Sequence, residues 1–214
     1  MTIDRSVLRP AQWQALAAAL LVSACAMTLA AAWQHRALSA LIAALSAVGI
    51  VAEAVRLNAP LWFAPAPDTG APEIRLSALR MTTGLIVGAY TWAAASMFLI
   101  YRVAGLHWQH GWEYALAMAL IALVHAGLFR HLGSAGPHTQ ATADWAARLA
   151  AVQGLAIAVG LVWLIASGKL ATLKSDWAAN NVFLAGGFAV LCLTAIVVKS
   201  HASLSRARAS DAGA

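Results

Sequence analysis

Six long apolar stretches, separated by short polar breaks, make up most of the chain. They run over Ala11–Trp33, Ala37–Leu57, Ser77–Val103, Gly111–Arg130, Asp144–Ser167 and Asp176–Val198. A helix of about 20 residues, rising roughly 1.5 Å per residue, crosses the hydrocarbon core of a bilayer. The pattern therefore predicts an all-α integral membrane protein, a six-transmembrane-helix bundle forming one membrane domain over residues 1–214.

The first stretch has the small residues Ala30, Ala31 and Ala32 near its end, as a signal peptide would. Its apolar run is longer than the roughly 7–15 residues of a signal-peptide core, so an uncleaved first helix is expected. Gln34, His35 and Arg36 form a tight turn before the second helix. The longest break, Asn58–Leu76, holds Pro60, Pro65, Pro67 and Pro72, which argue against a continuing helix. Leu61, Trp62 and Phe63 at its start are apolar enough to dip into the headgroup layer, and Asp68-Thr69-Gly70 reads as a turn. Ser77 is the expected N-cap of the third helix. Gly133 to Pro137 ends the fourth helix, and Gly168–Ser175 joins the fifth to the sixth. The polar residues 199–214 are expected to be a disordered cytoplasmic tail.

Composition agrees with lipid as the solvent. The chain of 214 residues is 62% hydrophobic and 10% charged, against about 25% charged for a soluble domain. The formal charge of +6 does not imply nucleic acid, because no basic run with interleaved aromatics is present. Six spans put both termini on one side. Ten of the 14 Lys and Arg fall on that side, and only Arg36, Arg102, Lys169 and Lys174 on the other. Basic residues stay where synthesis occurs, so both termini are expected in the cytoplasm. Trp13, Trp33, Trp108, Trp112, Trp145 and Trp177 lie near helix ends, where an indole prefers the interface. Cys25 and Cys192 sit inside apolar spans, behave as small hydrophobes and leave the redox compartment open.

Few residues could carry chemistry. His107, His110 and Glu113 cluster at the turn between the third and fourth helices. At helical spacing two of them could chelate a metal, though a solvated loop has the same composition. His125 lies inside the fourth helix, and Glu53 and Arg80 are expected in the same cytoplasmic-side layer. Ionisable groups in lipid normally face protein or water. Glu53 could pair with Arg56 or with Arg80. Together they could form a vestibule that binds a cation or relays a proton, or only interfacial ion pairs. Tyr90 and Trp92, at mid-depth of the third helix, could line a pore or a quinone slot, or simply pack. A b-type haem would want two histidines at one depth, and only His125 is clearly inside a span. Asn180 and Asn181 need partners from a neighbouring helix. Gly84 and Gly88 form a GxxxG face suited to close helix contact, within the chain, in a homo-oligomer or with a membrane complex.

The chain has no Walker loop, dinucleotide fingerprint or HExxH motif. No cofactor is required by the sequence, and nothing in it asks for catalysis. Short matches such as Asp144-Trp145 with Asp176-Trp177 hint at a transporter-like three-plus-three repeat, but Ala and Leu are too common to give them weight. The leading expectation is a small bacterial inner-membrane transporter or channel-like protein, or a subunit of one. It would pass a solute or cation near Glu53, Arg80, Tyr90, Trp92 and His125. The alternatives are a respiratory or redox subunit binding quinone, haem or metal, and a non-catalytic membrane partner or assembly factor.

Overall fold

The computed structural model describes residues 10–63, 72–104, 111–134, 139–168 and 177–212. Among these, every regular element is a helix: α1 (Pro10–Ala32), α2 (Arg36–Phe63), α3 (Pro72–Arg102), α4 (Gly111–His131), α5 (Thr139–Ala166) and α6 (Trp177–Ala212). All six are long and apolar enough to cross a membrane.

The helix count matches the sequence expectation, while several ends differ for local reasons. α2 continues through Pro60 to Phe63. A proline in the last turn removes one helix bond and no more. The helix end itself is held from the side, since the Leu61 carbonyl, one of the last four that lack a partner within the helix, accepts from Arg75 Nη1 at 2.6 Å and from Ser203 Oγ at 3.4 Å. α3 starts at Pro72, not Ser77. Proline suits a first helical position, where its missing N–H has no partner to lose, and Glu73 in the first turn complements the positive helix end. α5 starts at Thr139, whose hydroxyl donates to the Ser134 carbonyl at 2.9 Å. The largest correction is the tail. Residues 199–212 continue α6 as helix, because Ser200, Ser203, Leu204 and Ala207 share one buried face.

The turn from α1 to α2 is a Schellman closure. Gln34 takes a left-handed φ of 56°, and the His35 N–H reaches back to the Ala30 carbonyl at 2.8 Å.

α3 is the axis of the bundle. Buried residues make up 56% of its apolar window, against 6% for α5. It packs on α1, α2, α4 and α6, while α4 and α5 barely meet. One core cluster gathers Ile50, Leu57, Leu79, Leu85 and Leu193, and a second gathers Met27, Ala43, Trp92, Met97 and Val182. Alanines and glycines at the seams let backbones approach, which is where helix contact in lipid gains its dispersion energy. Gly84 and Gly88 sit on such a seam inside the chain. A Cβ on Gly84 would lie 2.7 Å from Trp13 and 3.0 Å from Phe129, and one on Gly88 3.4 Å from Leu20.

α2 and α6 run parallel. Asn181 donates to Ser39 at 3.2 Å, Ser200 to Asn58 at 2.6 Å and Ser203 to the Leu61 carbonyl, and each pair is separated by 142 residues. A constant offset means one register from Ser39 to Leu61, roughly 33 Å at 1.5 Å per residue. That matches the roughly 30 Å hydrocarbon thickness. The pair is thus clasped by polar bonds at its two ends and packed by apolar contacts between them.

Candidate functional site

The polar groups inside the bundle fall into separate stations. The first is built by α3, α4 and α5. α3 supplies Tyr90 from its middle, and α4 supplies His125, which is only 2% exposed. Their rings lie 5.8 Å apart, tilted by 31°. Gln153 of α5 lies beside the imidazole, and its Oε1 is buried without a hydrogen-bond partner.

The geometry constrains the imidazole's protons. Nδ1 is 2.9 Å from the Ile121 carbonyl, which can only accept, so Nδ1 carries a hydrogen. In the neutral ring Nε2 is then an acceptor, as is the unpartnered Gln153 oxygen. Where these two acceptors face each other, two arrangements relieve the meeting of lone pairs. The amide can turn its NH₂ toward the ring, or a second proton can occupy Nε2. The cluster can therefore hold a proton or a small cation, or donate and accept one hydrogen bond to a guest.

Trp92 belongs elsewhere. It is 2% exposed, and its Nε1 donates to Ser23 Oγ at 3.1 Å. Ser23 and Ser46 hydroxyls are 2.5 Å apart, and Ser46 donates to the Ile42 carbonyl at 2.8 Å. The donors therefore run one way, from indole to Ser23 to Ser46 to backbone, and satisfy every group in the chain.

Glu53 and Arg80 do not join His125. Glu53 binds Arg56 on its own helix through Nε at 2.7 Å and Nη2 at 2.6 Å. This bidentate pair is partly open to the surroundings. Arg80 lies over the Phe129 ring, 4.7 Å from its centre, and Nε reaches the Phe129 carbonyl at 3.3 Å. Ten residues along α3 separate Arg80 from Tyr90, roughly 15 Å of rise.

His107 and His110 lie outside the described residues. Glu113 stands in the first turn of α4. Among the described residues no group of three His, Cys, Asp or Glu is gathered as a metal would need.

Three groups escaped the sequence reading. Gln153 was detectable as a lone amide within an apolar stretch. Asn58 and Arg75 were masked by the prolines between them, which made both look like loop residues. Asn58 is fully buried. Its amide donates to Ala54 O at 2.8 Å and Thr82 Oγ1 at 2.7 Å, and its oxygen accepts from Ser200 at 2.6 Å.

Six helices, each long and apolar enough to cross a membrane, suggest a multi-pass membrane protein. No known family, curated protein or solved structure matches the chain.

Proposed function

We propose that the protein is a small carrier, or a subunit of one, in a bacterial inner membrane, with both termini in the cytoplasm. Its station for a small cation, the proton first, is His125 with Tyr90 and Gln153. The observation that carries this reading is a buried histidine with the Tyr90 ring against it and, beside it, a buried amide whose oxygen has no hydrogen-bond partner. Buried ionisable groups in a membrane are costly and tend to mark ion or proton routes. Polar groups in separate stations, not in a file, favour a carrier that exposes one station at a time over an open pore.

Two measurements test it. Tags at the two ends should both be reached only from the cytoplasmic face. In proteoliposomes with an imposed pH gradient and an internal dye, wild type should dissipate the gradient faster than empty vesicles. His125→Ala and Gln153→Leu should remove most of that gain, and Glu53→Gln should not. Wild-type vesicles no leakier than empty ones to protons, sodium or potassium would end the carrier reading.

A second reading draws on α5. It packs on α6 through one narrow seam, and Val152, Leu155, Val159, Val162 and Ile165 are exposed. A subunit of a larger complex, or an assembly factor, could offer this face to a partner helix. Purification from membranes in mild detergent distinguishes the two: a stoichiometric partner favours the subunit, and a lone chain that carries flux favours the carrier. An absorption spectrum of the same sample tests for haem or quinone.

A further inference from the structure

Arg75 is the other buried ionisable group that calls for an account. It stands in the first turn of α3 and is 4% exposed. Nη1 donates to the Leu61 carbonyl and to Ser203 Oγ. Nε is buried with no partner. Among the described residues no carboxylate pairs with it: Glu53 is taken by Arg56 and Asp144 by His201. Glu73, two residues earlier on the same helix, lies on a different face and is exposed. The carbonyl end of α2 supplies only a partial negative charge. A buried cation without a full counter-charge is expensive.

The unused edge is chemically specific. In a guanidinium, the Nε–H and the neighbouring Nη2–H run parallel and form the fork that grips two oxygens of one oxyanion. Nη1, the nitrogen already engaged, lies outside that fork. We propose that Arg75 anchors a site for a phosphate oxyanion, either the phosphodiester of an anionic lipid headgroup or free inorganic phosphate.

The surroundings fit this ligand. Arg75 lines a cleft with Asn58, Leu61, Trp62, Ser200 and Ser203, which is closed to a molecule the size of water. Trp62 is the least buried of the six, so it forms the outer wall. A single bond holds its indole, from Nε1 to Ser200 Oγ at 3.4 Å, near the limit for a hydrogen bond. Lys199 Nζ lies 4.1 Å from the ring centre. The indole that walls the cleft thus carries a second cation on its ring, and turning it aside would open the Arg75 side of the cleft beside that cation. Basic pockets between helices at the cytoplasmic end are where anionic headgroups bind.

The site rests on the membrane placement proposed above but not on transport, so its test needs no flux. Full-length protein in detergent is mixed with phosphatidylglycerol or phosphatidylcholine, and retained lipid is counted by native mass spectrometry. Thermal unfolding with inorganic phosphate forms a separate arm. Wild type should keep one phosphatidylglycerol in preference to phosphatidylcholine. Arg75→Gln should lower that retention by about tenfold, as expected for losing a bidentate charged contact. Arg102→Gln, at the other end of α3, should leave it unchanged. A rise in melting temperature with phosphate, without lipid preference, keeps the site and assigns it to the free ion. If Arg75→Gln fails to fold, Arg75→Lys decides, because it keeps the charge but not the fork. No preference in wild type and no response to phosphate would overturn the proposal. So would retention unchanged in Arg75→Lys, or lowered as much by Arg102→Gln.

Discussion

The two sides of the bundle are built differently. On one side α2, α3 and α6 share fully buried leucines and a polar clasp in which Asn58, Thr82, Ser200, Arg75 and Ser203 bind one another or backbone. On the other side α4 and α5 lean on α3 and α6 and barely touch each other. Many large apolar residues are exposed there, among them Leu120, Leu123, Val124, Val159 and Ile165. The composition of their most apolar stretches does not separate these helices, since those of α5 and α6 are equally hydrophobic. What separates them is polarity at the contact. A serine or asparagine aimed at a neighbour fixes depth and register, whereas alanine against alanine fixes only distance. The candidate station at His125 lies where the rigid side meets the looser one, a suitable place for a group that must change its surroundings.

The sharpest way to break the comparison is at the glycines. Gly84→Leu should be the most damaging change. Its Cβ alone would meet Trp13 at 2.7 Å and Phe129 at 3.0 Å. Overpacking of this kind costs about 1–3 kcal/mol or more, read as a lower melting temperature in detergent. A variant as stable as wild type would show that α1 is not held against α3. Next comes Asn58→Leu, which keeps bulk but removes two hydrogen bonds that join α2 to α3 and α6 and a third within α2. Such bonds are worth about 0.6 kcal/mol each inside a membrane protein, so the loss should be about 2 kcal/mol. The same measurement checks it, and an unchanged melting point would remove the clasp from any account of stability.

These tests bear on what was legible beforehand. Helix number was legible because a long apolar run reports its solvent, and that signal needs no knowledge of neighbours. Helix ends were less so. Pro60 and Pro72 carry the same side chain, yet one sits in the last turn of α2 and the other opens α3. Which role a proline takes depends on what satisfies the free carbonyls, here Arg75 and Ser203 from other helices. The tail misled for a similar reason: Leu204 and Ala207 look too few to hold a helix until α2 and α3 lie beside them. At the candidate site, Tyr90 and His125 each stood out in the sequence. They were expected on one path with Glu53, Arg80 and Trp92, and which of these would stand together was not legible, because an apolar span does not disclose which face it turns to which neighbour. Glu53 with Arg56 was readable, since their spacing of three lies within one helix.

Smaller effects probe the looser side. The seam between α5 and α6 is made of Ala143, Ala146, Ala147 and Ala150 and of Gly154, where an added Cβ would come 2.7 Å from Thr194 Oγ1. Thr194 spends that hydroxyl on the Leu191 carbonyl at 2.8 Å, so it cannot turn away without losing the bond. Gly154→Ala should therefore cost about 1 kcal/mol. A gain in stability would mean that α5 is not seated on α6 as described.

Gly160, on the same helix less than two turns later, should behave oppositely. Nothing lies within 4 Å of where its Cβ would be. With no clash, Gly160→Ala keeps only the propensity term, which favours alanine by up to about 1 kcal/mol in water. A small rise in melting temperature is expected. The same pair of variants, compared in native membranes and in detergent, then asks what covers α5. If lipid alone covers this face, Gly160→Ala should be neutral or better in both settings. If a partner helix lies there, the substitution should lower partner recovery from membranes while the isolated chain stays stable. A loss of stability in the isolated chain would instead mean that another part of this same polypeptide packs on the face, and the contrast between a clasped side and an open one would have to be withdrawn.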